Sequence, residues 1–332
     1  MLKILLTRSL LPSDLQYLRD GLDKAVPGRC EFVVPPEFTE DAIAALAPEA
    51  DVLLGPFVTP KILAAATRLR LVQVPWTGMD TFDFAAMRGF SVPVCNTHSN
   101  AGAVAELAVA IVLDLLKKLS YHDRKMRDGD WNRGQTPLSL KSSMLSDARA
   151  CVLGCGAIGS RIAALLHAFG ARVAAVDPVA APGGPVAEVF PPERITDAVA
   201  DASVVVCTLP LTPGTRGSLS SAFFAALPPG TVFVNMSRAP VVDEDALWDA
   251  LQGGRLGGFG ADVWWNAPKR GESQSYPSAK HPFWTLPNVL LSPHRAGFVE
   301  KSLPHLDGAV ANLANLALGR PLACVVDVSK GF

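Results

Sequence analysis

Two groups of residues in this 332-residue chain have types and spacing that can do chemistry. The first is Cys151-Val-Leu-Gly-Cys-Gly-Ala-Ile-Gly159, which sets glycines at 154, 156 and 159 after an apolar run and before a helical pattern at 160–169. In that context G-x-G-x-x-G permits a tight turn, close approach of backbone to a pyrophosphate, and close packing of helix on strand. The helix amino terminus adds N–H groups and the positive end of its dipole. Standing alone, the pattern is often only a turn. Here the next apolar run, 172–176, ends on Asp177, at the spacing where a carboxylate accepts hydrogen bonds from the adenosine ribose hydroxyls. Pro178-Val-Ala-Ala-Pro-Gly-Gly184 follows, with no arginine to pair with a ribose 2′-phosphate. Asp177 would repel that phosphate, so NAD is expected rather than NADP.

The second group is Arg238, Asp262 and His294, each just beyond an apolar run, where ligands bind in open α/β sheets. Arg238 lies in Val234-Asn-Met-Ser-Arg-Ala-Pro-Val-Val-Asp243, and His294 in Leu290-Leu-Ser-Pro-His-Arg-Ala-Gly297. Taken singly, the arginine reads as a surface residue paired to Asp243 or Asp245, and the histidine as one satisfied in a loop. Asp262 lies in Gly260-Ala-Asp-Val-Trp-Trp-Asn-Ala-Pro268, where a small-residue strand ends on an acid. The loop that follows carries two tryptophans and, at Ala267, no carboxylate.

These residues need a frame. Short apolar runs at 3–6, 30–34, 52–54, 71–74 and 92–95 alternate with helical patterns at 41–47 and 60–66, which predicts a small parallel α/β unit. An amphipathic helix is expected at 101–119. From residue 149 the alternation restarts in six runs, CVLG, RVAAVD, SVVVCTLP, TVFVNMS, GFGADV and NVLLSPH, which read as a doubly wound sheet. A last helix at 298–318 follows that sheet and is expected to cross back onto the first unit. The expected fold is therefore α/β, with two Rossmann-like or flavodoxin-like domains built on parallel sheets. Residues 1–98 plus 297–332 form a discontinuous substrate domain, and 99–296 a dinucleotide-binding domain.

Bulk properties exclude other classes. The chain is 49% hydrophobic and 18% charged with a net charge of −1, which leaves no electrostatic footprint for nucleic acid. Glu106 and Asp114 interrupt the 101–119 helix, so it does not read as a membrane span. The amino-terminal MLKILLTRSLLPSD reads as a buried strand and not a signal peptide, and a cytoplasmic address is expected. Six cysteines without a C-x-x-C pair signal neither a disulfide framework nor a zinc site, and no metal is expected. Most read as small core residues; Cys155, at a helix start, is a candidate redox-sensitive thiol.

Taken together, the segments resemble the D-isomer-specific 2-hydroxyacid dehydrogenase family. The matching stretches are Gly78-Met-Asp80, residues 100–106, the glycine loop, residues 235–247, Asp262-Val263 and Pro293-His294. The resemblance implies that Arg238 binds the substrate carboxylate and carbonyl oxygen, a task suited to the planar guanidinium fork. It implies that His294 exchanges a proton with the C2 oxygen while hydride moves between C2 and the nicotinamide. Asp262 would hold the nicotinamide carboxamide. Cofactor contacts would come from Gly154, Gly156, Ala157, Ile158, Gly159, Asp177, Thr208, Pro210, Thr215, Met236 and Gly297. Backbone N–H groups near Gly78 and Met79 would clamp the substrate carboxylate, while Trp76 reads equally as pocket or core. His98 reads as a hinge residue more readily than a catalyst.

Two departures stand out. The family's glutamate before the proline, which pairs with the histidine, is Ala267 here, with Glu272 the nearest acid in sequence to replace it. The glycine that follows the arginine is Ala239, a source of strain if that turn needs a positive φ. The expected activity is NAD-dependent hydride transfer to and from a small 2-keto or 2-hydroxy acid, of the glyoxylate or hydroxypyruvate type. The alternatives are a hydride-only dehydrogenase of the formate type and a non-catalytic NAD(H)-sensing, corepressor-like protein. A homodimer is expected through the 101–119 helix, whose Val109, Ile111, Val112, Leu115 and Leu116 lie on more than one face.

Overall fold

In the computed structural model, residues 1–131, 142–268, 272–300 and 302–331 are described. The chain divides into two units, Met1–Asn100 with Gly297–Phe332, and Ala101–Ala296.

The first unit is a five-stranded parallel sheet, β1 Leu2–Leu6, β2 Cys30–Val33, β3 Val52–Leu54, β4 Leu71–Gln73 and β5 Val94–Cys95, in the order β2-β1-β3-β4-β5. Helices α1 Pro12–Ala25, α2 Glu40–Leu46 and α3 Pro60–Ala65 connect the strands. Thr39 and Thr59 cap α2 and α3 by accepting from the N–H groups of Ala42 and Ile62. Successive β1 side chains enter different clusters. Ile4 and Leu6 pack with Leu18 and Leu22 of α1, while Leu5 packs with Ile43 and Ile62. Both faces of the sheet are therefore covered, as a parallel sheet requires. α1 was not expected from sequence. Gly21 and a polar majority hide its buried Leu18 and Leu22.

The second unit opens with α4 Ala101–Lys117 and α5 Leu119–Arg127. The single helix expected at 101–119 breaks at Lys118, a lysine at φ 53°. Asp114 accepts from the Ser120 N–H at 2.7 Å and from its hydroxyl, securing the new start. Seven parallel strands follow. They are β6 Arg149–Leu153, β7 Arg172–Val176, β8 Val186–Phe190, β9 Val204–Cys207, β10 Thr231–Asn235, β11 Leu256–Ala261 and β12 Val289–Leu291, in the order β12-β11-β10-β9-β6-β7-β8. The strand missing from the sequence expectation is β8, a half-buried edge strand. Helices α6 Ala157–Ala168, α7 Ile195–Val199, α8 Ser221–Ala226 and α9 Glu244–Gln252 complete the layers. α4 and α6 cover one face, through Ala108, Ile111, Val112, Ile162 and Leu166. Phe223, Phe224, Leu247 and Phe283 cover the other.

The small residues of β11 now have a cause. A Cβ on Gly260 would lie 2.2 Å from Cγ2 of Ile111, so α4 can rest on this strand only because it lacks side chains there.

The last helix, α10 Pro304–Leu318, belongs to the first unit and packs Leu306 and Leu313 beside α1. It starts six residues later than expected, because Pro304 has no N–H for a helix interior and sits naturally at its first turn. Buried Asn312 ties it down, donating to Gln73 Oε1 at 3.0 Å and to the Ala323 carbonyl at 2.9 Å. Among the described residues no helix is long and apolar enough to cross a membrane.

Candidate active site

The glycine loop joins β6 to α6, and its three glycines do different work. Gly154 has φ 87° and lies against the Thr208 backbone, where an added Cβ would come within 3.1 Å of the carbonyl oxygen. Gly159 is packed hardest, since a Cβ there would sit 1.9 Å from the Gly154 carbonyl oxygen. A Cβ on Gly156 would meet nothing within 4 Å. Open space at Gly156 leaves room for a pyrophosphate against the backbone. Gly156 also caps α6 without a side-chain bond, so the amino end at Ala157, Ile158 and Gly159 presents its N–H groups and dipole to a ligand. These features fit a dinucleotide.

Asp177 ends β7 half-buried, and its carboxylate is engaged. One oxygen accepts from the Cys155 N–H at 2.8 Å; the other accepts from Val179 and Ala180, each at 2.8 Å. The residue thus joins its own turn to the glycine loop. Cys155 is half-buried, and desolvation, aided by the Asp177 charge, raises its thiol above the ordinary value. That opposes the redox sensitivity considered for it, because the thiolate is the reactive form. At the end of β9, the Thr208 hydroxyl donates to the Gly154 carbonyl at 2.7 Å. The Thr215 hydroxyl donates to the Pro210 carbonyl at 2.6 Å, closing that loop.

β10, β11 and β12 are neighbours, so their carboxyl ends bring the turns of Arg238, Asp262 and His294 side by side. Asn235, fully buried, shapes the first turn. Its Oδ1 accepts from the Ser237 N–H at 3.0 Å and hydroxyl at 2.9 Å, and its Nδ2 donates to the Arg238 carbonyl at 3.3 Å. Arg238 is half-buried, with Nη1 donating to the Ser237 carbonyl at 2.9 Å. Of the two acids weighed as its partners, Asp243 caps α9 and Asp245 binds Lys280 and His281. Ala239 is absent from the positive-φ residues, so the anticipated strain does not arise. Met236 is buried among the apolar residues of the α4 face.

Asp262 is 2% exposed, and its carboxylate reaches across to the β12 turn. It accepts from the Ser292 hydroxyl, from the Arg295 N–H at 2.9 Å and from the Ala296 N–H at 2.8 Å. Of the two tryptophans in the loop after β11, Trp264 donates through Nε1 to the Ser292 carbonyl at 2.8 Å. Trp265 stacks on Phe283 at 5.7 Å. Between these fixed points His294 is held at φ 54°, a left-handed conformation that costs a non-glycine residue about 1–2 kcal/mol. Such strain persists where the surroundings over-determine it, characteristically at functional sites. Ala267 is exposed in the same loop as the tryptophans.

In the first unit, the loop after β4 carries Trp76, Gly78 and Met79. Asn96 donates to the Thr77 carbonyl at 2.8 Å, and the Thr77 hydroxyl donates to Asn100 Oδ1 at 2.9 Å. Met79 is buried in the core, leaving its backbone as the part able to bind a ligand. Trp76 is half-buried against the same core, with the Arg8 guanidinium 5.1 Å above its ring. Gly297 lies beside Asn100. His98 is half-buried.

Sequence reasoning did not single out Arg8, Ser292, the Asn235 amide or the Trp264 indole. Only Asn235 carried a local signal, an Asn two residues before a Ser, which favours this type of turn.

A sequence model of the family described as D-isomer specific 2-hydroxyacid dehydrogenase, NAD binding domain, matches residues 109–296. D-3-phosphoglycerate dehydrogenase of Mycobacterium tuberculosis is 30% identical over 333 residues, which takes in 99% of this chain and 59% of that protein. The chain thus spans little more than half the length of that relative. The putative 2-hydroxyacid dehydrogenase YoaD of Bacillus subtilis is 30% identical over 243 residues, covering 72% of this chain and 68% of the relative. Among solved structures, a D-isomer specific 2-hydroxyacid dehydrogenase from Xanthobacter autotrophicus Py2, in complex with NADPH and MES, is similar with a TM-score of 0.80 at 25% identity, covering 99% of each chain. The family match runs from within α4 to the end of the second unit and takes in the glycine loop and all three strand-end turns, so the chain belongs to the D-isomer-specific 2-hydroxyacid dehydrogenases.

Proposed function

We propose that the chain is an NAD-dependent oxidoreductase acting at C2 of a small 2-keto or 2-hydroxy acid of the glyoxylate or hydroxypyruvate type. The observation that carries this reading is the over-determined His294 turn, flanking the Asp262 turn on the opposite side from the Arg238 turn, at the same carboxyl end of the sheet as a glycine loop open at Gly156. When bound, the dinucleotide supplies or accepts the hydride. Gly154, Gly156 and the amino end of α6 hold its phosphates, Asp177 accepts from the ribose, and Asp262 has capacity for the carboxamide beyond the three donors already on it.

Arg238 anchors the substrate carboxylate with parallel N–H donors and polarises the C2 carbonyl. In reduction, His294 delivers a proton to the C2 oxygen; in oxidation it removes one. In the first unit, the N–H groups near Gly78 and Met79, with Trp76, are assigned to substrate contact. NAD is preferred over NADP because a carboxylate at the Asp177 position disfavours a 2′-phosphate, although the Xanthobacter relative holds NADPH.

A homodimer is part of the same proposal, on revised grounds. Val109, Ile111, Val112 and Leu116 are buried within the second unit and are spent on its own core. Leu119, Met126 and Trp131, exposed at 66%, 45% and 73% on and just after α5, are the better contact surface. The test is NADH oxidation by purified protein with glyoxylate, hydroxypyruvate, pyruvate and larger 2-keto acids, with formate and NAD in parallel. Turnover of a 2-keto acid supports the reading. Formate oxidation alone, or NADH binding with no turnover, overturns it in favour of a hydride-only enzyme or a nucleotide sensor.

A further inference from the structure

We infer that Trp264 and Ser292 are positioning residues that, through the Asp262 carboxylate and the Ser292 carbonyl, fix the left-handed turn presenting the His294 imidazole. The inference rests on the reading of His294 as the acid-base group. Its structural part does not.

Five bonds bracket the histidine. Upstream, the Ser292 N–H donates to the Ala261 carbonyl at 3.0 Å, its hydroxyl donates to Asp262, and its carbonyl accepts from the Trp264 indole at 2.8 Å. Downstream, the N–H groups of Arg295 and Ala296 both end on Asp262. An ionised carboxylate only accepts, so a single buried acid can collect all three of its donors, which a neutral amide in its place could not do. Trp264 is itself braced, meeting Phe259 edge-on at 5.8 Å, and Phe259 in turn stacks on Phe233 at 5.7 Å in the core. The indole N–H is therefore aimed from a rigid base, and the chain of contacts runs from the sheet core to the turn.

Position 267 has only a methyl group to offer this histidine loop. The backbone on both sides of His294 is bonded to groups that can orient the turn. The φ of 54° makes this control necessary, since an unheld histidine would relax toward ordinary backbone and swing its ring away.

Trp264→Phe removes one donor and keeps an aromatic ring against Phe259. Ser292→Ala removes one donor to Asp262, and Ser292→Thr restores a hydroxyl. Amide hydrogen exchange at Arg295 and Ala296, read residue by residue with and without NADH, reports the turn without reference to turnover. Trp264→Phe and Ser292→Ala are expected to accelerate exchange there by about 3- to 10-fold, the equilibrium worth of one net hydrogen bond, with β6 amides unchanged. Ser292→Thr should exchange as the wild type does. With the keto acid that the wild type reduces, kcat should fall by a similar factor in the first two variants while the NADH KM stays within about twofold.

Unchanged exchange at both amides overturns the inference. So does exchange that rises equally throughout the second unit, the mark of a purely structural role. Accelerated exchange at the turn with unchanged kcat overturns the positioning role. If the wild type reduces no keto acid, the proposed function fails by itself, and the exchange pattern alone decides whether Trp264 and Ser292 hold the turn.

Discussion

Two glycines three residues apart should fail in opposite ways when given a methyl group. In Gly159→Ala the new Cβ would start 1.9 Å from the Gly154 carbonyl oxygen and 2.9 Å from the Thr208 hydroxyl. A comfortable separation is about 3.5 Å, so α6 must retreat from β6 by roughly 1.6 Å, a shift that reaches Ile162 and Leu166 in the core below. Overpacking of this kind costs about 1–3 kcal/mol, and on the order of 2–4 °C of melting temperature per kcal/mol for a unit of this size. In Gly156→Ala the Cβ meets nothing within 4 Å, so stability should stay within about 1 kcal/mol of wild type. Its methyl stands where the pyrophosphate must approach, and NADH affinity should fall at least about tenfold, or 1.4 kcal/mol. Thermal denaturation followed by circular dichroism gives the first quantity, and quenching of tryptophan fluorescence by NADH gives the second. A Gly156→Ala protein that binds NADH normally would refute the assignment of the phosphate site. A Gly159→Ala protein that melts with the wild type would refute the packing argument.

Arg238→Lys should raise the keto-acid KM and lower kcat while NADH affinity holds, because a point charge cannot reproduce two parallel hydrogen bonds; loss of NADH binding would make the arginine structural. His294→Ala should slow keto-acid reduction by about 10² to 10⁴ with nucleotide binding retained, and unchanged reduction would remove it from the mechanism. The KM for NADH should lie below that for NADPH, and the reverse order would overturn the role given to Asp177. With its thiol raised by burial and by Asp177, Cys155 holds less thiolate at neutral pH and should gain it only as pH climbs past the ordinary thiol range. Mass-spectrometric mapping at pH 7 should therefore find iodoacetamide on exposed Cys324 well before Cys155, and the opposite order would contradict that environment.

Local chemistry made much of this protein readable in advance. The glycine loop and Asp177 announce themselves because a turn at φ 87°, a helix start and an acid at the next strand end are all written within one βαβ unit. Apolar runs disclosed most strands of both sheets, since a strand covered on both faces has to be apolar almost throughout. Local rules failed where a residue acts against them or where its partner is distant. No glycine or proline marks the break at Lys118, because Asp114 and Ser120 stabilise a left-handed lysine that sequence preference would not suggest. α4 carries apolar residues on several faces because β11, β10 and α6 all pack on it, and the glycines of β11 make sense only once Ile111 is known to lie on Gly260. The same holds for Asp262. Sequence identified an acid at a strand end, but its bonds to Ser292, Arg295 and Ala296 cross some thirty positions and exist only because β12 pairs with β11. Strand order is set by how all the helices and strands bury their apolar surface together, so the neighbours of a strand-end side chain are a property of the whole sheet and not of the residues beside it in the chain.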